Sequence, residues 1–97
     1  MASRTRKIVS RSSKPLLPGH VILRRDQVRD RWVALAPERL IVLDERSLDV
    51  LRLCDGSRTV ETLAQELAKT YDAPEELIAE DVMSFLQDWS DRLLVEL

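Results

Sequence analysis

Apolar residues recur at helical spacing in the second half of this chain, whereas the first half contains short apolar runs bounded by turn residues. The clearest stripe runs from Val60 to Tyr71, with apolar residues at i, i+3, i+4, i+7, i+8 and i+11. This spacing puts all of these side chains on one face, which predicts an amphipathic helix over residues 60–71. Thr59 precedes the stripe as an N-cap, whose hydroxyl accepts an orphan backbone N–H.

Two further helices are predicted, one on each side of this one. The earlier helix, of about ten residues, follows Asp44, a favourable N-cap residue. It stops at Asp55-Gly56, because glycine adopts the left-handed conformation without steric cost. The later helix starts at Pro74, since proline fits the first helical position. Its apolar residues are Leu77, Ile78, Val82, Phe85, Leu86 and Trp89.

Three strands are predicted before the helices, at His20–Leu23, Trp32–Leu35 and Arg39–Leu43. The last two flank a Pro37-Glu38 turn, and proline favours the first corner of such a turn. The order β-β-β-α-α-α predicts an α+β fold of winged-helix-like architecture. It consists of a three-stranded N-terminal antiparallel sheet followed by a three-helix bundle, and residues 93–97 either extend the last helix or add a small strand.

Charge separates the first 19 residues from the rest. Residues 1–19 hold five basic side chains and no acidic one, whereas residues 20–97 hold 10 basic and 17 acidic side chains, a net charge of −7. Serine, proline and basic residues leave the first segment little to bury, which predicts a disordered basic arm or linker over 1–19. One folded domain is predicted over 20–97. A basic arm also fits nucleic acid or an acidic partner surface.

Catalytic and metal sites need clusters of side chains that this composition does not supply. His20 is the only histidine and Cys54 the only cysteine, so no catalytic residue, metal site or cofactor is predicted. Cys54 is expected to pack in the core. It cannot form an internal disulfide, and no secretory signal or bilayer-spanning apolar run is visible. We therefore expect a cytoplasmic protein that is not an enzyme and binds no membrane.

A binding surface is the remaining hypothesis from the residues themselves. If Arg39–Leu43 forms a sheet edge, its free N–H and C=O groups can pair with an extended peptide. The last helix carries more apolar residues than one small core accepts, and Met83, with its adaptable thioether, fits a groove-lining position. The same excess also fits dimerisation or core packing.

Four sequence blocks strongly resemble the PqqD family, the peptide chaperones of pyrroloquinoline quinone (PQQ) biosynthesis. They are Trp32-Val33-x-Leu35-x-Pro37-Glu38, Leu43-Asp44, Leu53-Cys54-Asp55-Gly56-x-Arg58-Thr59-Val60 and Asp81-Val82-x-x-Phe85-Leu86. The similarity covers about residues 20–97. Residues 1–19 have no counterpart in the family pattern. Because some PqqD proteins are fused behind the preceding pathway enzyme, the arm also resembles a linker from such a fusion.

The resemblance implies a role in binding without catalysis. PqqD-like proteins bind the precursor peptide PqqA and present it to the radical S-adenosylmethionine (SAM) enzyme PqqE. Related domains, which recognise the precursors of ribosomally synthesised and post-translationally modified peptides (RiPPs), hold the peptide as a strand added to the third strand. The third helix closes the groove. Carried over to this sequence, the peptide-binding residues are Arg39, Leu40, Ile41, Val42 and Leu43 through their backbone, and Val82, Phe85, Leu86 and Trp89 as the groove wall.

Two other classes of function stay open at this point. The last two helices could form the helix-turn-helix of a winged-helix DNA-binding protein. Against this, the third helix is acidic at its start and middle, whereas DNA binding depends on a basic face, so no nucleic acid partner is predicted. In a structural homo-oligomer, the surplus apolar residues of the third helix would form the interface between copies of the chain. Monomer and homodimer are both compatible with peptide binding.

Overall fold

The computed structural model describes residues 6–97 and contains three strands followed by three helices. The strands are β1 (Ile22–Asp26), β2 (Arg31–Ala36) and β3 (Arg39–Leu43), and the helices are α1 (Glu45–Arg52), α2 (Val60–Tyr71) and α3 (Glu75–Asp91). The predicted order β-β-β-α-α-α is confirmed. Within residues 6–97, none of the helices has the length and apolar character needed to cross a bilayer.

The sheet is antiparallel with the order β1-β2-β3, so that β1 and β3 both form edges. Pro37 and Glu38 make the turn between β2 and β3, and Glu38 lies in the left-handed region at φ 61°. Side chains alternate between the two faces of a strand. Ile41 and Leu43 of β3 therefore face the helices, whereas Leu40 and Val42 face the opposite side.

β1 lies further along the chain than the predicted strand His20–Leu23. It extends through Arg24 and Arg25, whose backbones are in register with Val33 and Trp32 of β2. Charged side chains at solvent-exposed positions do not prevent the backbone from pairing with a neighbouring strand. The predicted strand is therefore too short, because the prediction ended it where the polar residues begin.

The helix starts follow local capping chemistry. A carboxylate oxygen of Asp44 accepts a hydrogen bond from the Ser47 N–H at 2.8 Å, and the Thr59 hydroxyl accepts one from the Thr62 N–H at 3.2 Å. Both residues are N-caps, as predicted. Pro74 is the N-cap of α3 and not its first residue, because its backbone is extended at ψ 131°.

The core lies between the inner face of the sheet and the three helices. Ala34 of β2, Leu63 of α2 and Leu86 of α3 have no exposed surface. Cys54 is also buried, and its thiol donates a hydrogen bond to the Val50 carbonyl at 3.2 Å. Burial raises the pKa of this thiol to about 12. The prediction that Cys54 packs in the core is confirmed.

Residues 6–19, which the sequence predicts as part of a disordered arm or linker, form hydrogen bonds to the rest of the domain; residues 1–5 of that arm lie outside the described residues. The Val60 N–H donates to the Ser13 carbonyl at 2.9 Å and the Glu61 N–H to the Arg11 carbonyl at 3.0 Å. The first N–H groups of a helix have no partner within it, so the arm caps the start of α2. Leu16 also exchanges hydrogen bonds of 2.8 and 2.9 Å with Glu96, forming a short antiparallel bridge.

Candidate functional site

β3 offers free backbone groups along its outer side. The two-residue turn pairs Ala36 with Arg39, and hydrogen-bonded and non-hydrogen-bonded pairs alternate along an antiparallel ladder. Leu40 and Val42 therefore direct their N–H and C=O groups away from β2. Among residues 6–97, neither backbone takes part in a turn, loop or cap hydrogen bond. An extended chain could pair with β3 at these two residues.

α3 runs antiparallel to β3 on the inner side of this edge. At one end, Nη1 of Arg39 donates a hydrogen bond to the backbone carbonyl of Arg92 at 2.8 Å. At the other end, Asp44, which follows β3, and Asp81 of α3 line one cavity. The strand segment between these ends spans roughly 17 Å, and so does the helix segment, from their rises of about 3.3 and 1.5 Å per residue. We call the strip between β3 and α3 the groove.

The groove leads into an apolar cavity of about 100 Å³ between the three helices. Its apolar walls are Val50, Leu67, Ile78, Val82 and Phe85, and its polar rim is Asp44, Arg46, Ser47, Tyr71 and Asp81. An apolar cavity of ~150 Å³ holds a benzene molecule. The cavity next to β3 therefore has the size and lining to take one aliphatic side chain.

Two of the five rim residues, Asp44 and Asp81, are acidic and one, Arg46, is basic, so the rim carries a net negative charge. Asp44 receives a hydrogen bond from the backbone N–H of Ser47, which lowers the pKa of its carboxyl group. The Tyr71 hydroxyl donates to the Asp49 carboxylate, and this hydrogen bond raises the pKa of Tyr71 to about 12. The Arg46 guanidinium lies 5.8 Å from the centre of the Tyr71 ring. Carboxylates at this mouth favour a cationic group beside the side chain that enters the cavity.

The strand residues predicted to form the site all lie on β3, where the prediction placed them. Leu40 and Val42 are 56% and 53% exposed. Ile41 and Arg39 lie on the side that faces the groove, and Leu43 is buried in the core.

The four predicted groove-wall residues of α3 divide into two pairs. Val82 and the half-buried Phe85 line the cavity. Leu86 and Trp89, with 0% and 3% exposure, are core residues that do not line the cavity, whereas Val82, also 3% exposed, belongs to the core and lines the cavity as well. Trp89 contributes indirectly, since its ring lies 5.1 Å from the Phe85 ring and supports it. Met83, also placed in the groove from sequence, packs partly buried against the core and is not among the cavity residues.

Ile78 and Tyr71 line the cavity but were not predicted as site residues. A signal for Ile78 is present in the sequence: it shares an i, i+4, i+7 spacing with Val82 and Phe85, beside the core stripe of α3. α3 thus carries two adjoining apolar stripes that meet at Val82, which accounts for its apolar excess. No comparable signal marks Tyr71, because it also ends the core stripe of α2.

The described residues provide hydrogen-bonding edges and apolar walls. Between residues 6 and 97, no group of three or more His, Cys, Asp or Glu side chains is arranged to hold a metal ion. The exposed His20 has its Nε2 atom 3.3 Å from the carbonyl of Leu93, the residue after Arg92. What the site can do is hold an extended chain and accept a side chain from it.

Comparisons with known proteins point to one family. The family model for coenzyme PQQ synthesis protein D (PqqD) matches residues 31–95. A PqqA binding protein from Bradyrhizobium diazoefficiens is 46% identical over 84 residues, which cover 87% of this chain and 82% of the relative. A bifunctional coenzyme PQQ synthesis protein C/D from Methylorubrum extorquens is 42% identical over 87 residues, covering 90% of this chain and 23% of that longer protein.

Two solved structures share the fold. The solution NMR structure of the PqqD truncation of Methylobacterium extorquens PqqCD, described as a functional, stand-alone RiPP recognition element, has a TM-score of 0.80 at 42% identity and covers 92% of this chain and 95% of its own. The crystal structure of PqqD from Xanthomonas campestris has a TM-score of 0.59 at 38% identity, covering 92% and 99%. The family match spans β2, β3 and all three helices, and hence every element of the groove, so the chain belongs to the PqqD family.

Proposed function

We propose that this chain is a peptide chaperone of PQQ biosynthesis, which binds the precursor peptide PqqA at the edge of β3 and presents it to the radical SAM enzyme PqqE. The observation that carries the proposal is the free edge of β3 beside a groove and an apolar cavity. Relatives at 46% identity are named PqqA binding protein, which supports this choice of peptide.

Binding starts with backbone pairing. A peptide strand beside β3 exchanges N–H and C=O hydrogen bonds with Leu40 and Val42, which provides affinity with little demand on the peptide sequence. Ile41 and Phe85 contact the side chains that point into the groove. The Arg39–Arg92 hydrogen bond closes the groove at one end, so the bound chain leaves toward the cavity end.

The cavity provides the sequence selectivity that backbone pairing lacks. A peptide that continues past the end of β3 reaches the space between Asp44 and Asp81, where an aliphatic side chain enters between Ile78 and Phe85. The acidic rim favours Lys or Arg as a neighbour of this apolar residue. We therefore infer that the bound segment of PqqA combines an aliphatic anchor with an adjacent basic residue.

Presentation to the enzyme requires no chemistry from the chaperone. Holding the peptide on a protein that also binds PqqE makes the encounter of peptide and active site intramolecular, and this raises the effective concentration of the substrate. The chain then acts as a binding protein and not as an enzyme. Its one cysteine is free and buried, which is consistent with a cytoplasmic location.

Calorimetric titration with a synthetic PqqA peptide, combined with amide NMR shifts on the isotope-labelled chain, tests the proposal. We expect saturable binding, with the largest shifts at Leu40, Val42 and the α3 residues from Ile78 to Phe85. Amides of β1, at the opposite edge of the sheet, are the internal control and should shift little. No heat and no shifts, or shifts confined to β1, would overturn the proposed site.

A further inference from the structure

The outer face of the sheet, opposite the helices, carries an apolar patch. Strand register aligns Ile22, Leu35 and Leu40 in one cross-strand row, and Arg24, Val33 and Val42 in the next. We call the apolar members of these rows the outer patch: Ile22, Val33, Leu35, Leu40 and Val42.

The outer patch is apolar at its centre and open at its margins. Val33 is only 3% exposed although it is not part of the main core, so its neighbours on the outer face cover it. Ile22, Leu40 and Val42 are each more than half exposed. Contiguous exposed apolar surface of this kind is typical of protein interaction sites.

The charge around the outer patch differs from that of the helices. Residues 20–43 carry five basic and three acidic side chains, a net charge of +2, whereas residues 44–97 carry five basic and 14 acidic ones, a net charge of −9. Arg25, Arg29 and Arg31 pair with Asp30 or Asp26. Arg24 forms no ion pair with any residue between 6 and 97, so a cation without a counter-charge borders the apolar rows.

We propose that the outer patch docks a protein surface with an apolar centre and a carboxylate facing Arg24, and that this surface belongs to the enzyme that receives the peptide. The inference rests on the proposed strand addition at β3. A strand added there becomes the fourth of the sheet, and every second side chain of it projects onto the outer face beside Leu40 and Val42. A partner on the outer patch then contacts chaperone and peptide together.

Such a composite surface couples the two binding events. The enzyme gains contacts when the peptide is in place, so it binds the loaded chain more tightly than the empty one. Linkage requires that the enzyme raise the affinity for the peptide by the same factor. We expect at least about a fivefold effect, the lower end of common coupling factors.

The test uses purified PqqE and the full chain, with binding measured in the presence and absence of PqqA. Ile22→Thr removes apolar surface but keeps a β-branched residue, and Arg24→Glu reverses the exposed charge. Both positions lie on β1, at the edge opposite β3. Each change should weaken PqqE binding by tenfold or more and leave the affinity for PqqA unchanged. Leu77→Gln, at a residue of α3 with the same 57% exposure as Ile22, is the matched control and should bind PqqE normally.

The outcomes separate this inference from the proposed function. If both β1 variants bind PqqE as tightly as the unchanged chain, the docking surface is elsewhere, although the peptide chaperone function stands. If these variants lose PqqA affinity instead, the patch belongs to the peptide site and the inference is overturned. If the unchanged chain binds no PqqA, the proposed function fails and this inference with it. Loss of self-association in Ile22→Thr, with PqqE binding unchanged, would assign the patch to a second copy of the chain.

Discussion

Arg39 and Arg92 join the start of β3 to the end of α3 through a single hydrogen bond of 2.8 Å, from the guanidinium Nη1 to the backbone carbonyl. Arg92 is the C-cap of α3, and the last carbonyls of a helix have no partner within it. The guanidinium therefore satisfies one of these groups, and its charge lies at the negative end of the helix dipole. One side chain thus fixes the distance between strand and helix at the closed end of the groove.

Replacing Arg39 by methionine should loosen this end of the groove. We expect Arg39→Met to weaken PqqA binding roughly three- to tenfold, because the groove is no longer held at its bound width and ordering it costs affinity. Calorimetry measures the change. Arg92→Ala is the matched control, since it removes the Arg92 side chain but keeps the carbonyl that accepts the hydrogen bond. Equal losses in both variants would contradict this role for Arg39.

Removing the arm should destabilise the domain, although its sequence predicts only a disordered arm or linker. A chain that starts after residue 13 lacks the Arg11 and Ser13 carbonyls that cap α2. At about 1 kcal/mol per hydrogen bond, and because Val9, which packs against the core, is lost as well, we expect the free energy of unfolding to fall by at least about 2 kcal/mol in urea titrations. Deletion of residues 1–5 alone keeps all described contacts and serves as the control. Unchanged stability without residues 1–13 would show that water replaces these caps at no cost.

Local signals made α2 and β3 predictable to the residue. The stripe from Val60 to Tyr71, the Thr59 cap and the Pro37-Glu38 turn all act over a few residues, and the structure has the same bounds. The arm was not predictable in this way. It is held by backbone hydrogen bonds between residues distant in sequence, such as Leu16 and Glu96, and backbone groups leave no pattern in the side chains.

Within the candidate site, too, the sequence could not predict which of two neighbouring residues lines the cavity. Phe85 and Leu86 are adjacent and both apolar, so the sequence assigns both to the groove wall. Consecutive residues of a helix are rotated by about 100° around its axis. This rotation places Phe85 at the cavity and Leu86 in the core. The rotation of α3 depends on how all three helices pack. A single sequence predicts the apolar stripe of α3 but not which edge of that stripe lines the cavity.

The N-cap of α1 should make the domain sensitive to acid. Hydrogen bonding in the folded state holds the pKa of Asp44 below its ordinary value, so its contribution to stability is complete above the unfolded pKa of about 3.9. It is lost as the pH falls through the folded-state pKa. Asp44→Ala should cost about 1 kcal/mol at pH 7, and its difference from the unchanged chain should shrink below about pH 4.

Unfolding titrations at several pH values measure this difference. Asp44→Asn keeps an oxygen that can accept from the Ser47 N–H but cannot ionise, so it should remain stable at pH 7 and lose less stability in acid. A gap between Asp44→Ala and the unchanged chain that stays constant from pH 7 to strong acid would show that the ionised form is not what stabilises the helix.

Tyr71 should ionise at unusually high pH. It is the only tyrosine, so tyrosinate absorbance during an alkaline titration reports this one group, whose pKa the hydrogen bond to Asp49 raises to about 12. Asp49→Asn should bring the midpoint down toward the ordinary value of about 10. Glu45→Gln, which removes a more weakly interacting carboxylate, should lower it less. Equal midpoints in all three chains would contradict the Tyr71–Asp49 hydrogen bond at the cavity rim.

Proline substitution can distinguish the two edges of the sheet as peptide sites. The N–H of Val42 points away from β2, so Val42→Pro removes a donor from the free edge of β3 without breaking the ladder. We expect PqqA affinity to fall at least about tenfold, the loss of roughly 1.4 kcal/mol from one backbone hydrogen bond and its neighbours.

The same alternation points the Arg25 N–H of β1 to the opposite edge. Arg25→Pro is therefore the control for the loss of one outward N–H at the other side of the sheet, and it also removes the Arg25–Asp30 ion pair. Thermal unfolding confirms that both variants fold. Loss of binding in Arg25→Pro but not in Val42→Pro would move the peptide to the edge of β1 and would overturn the proposed site.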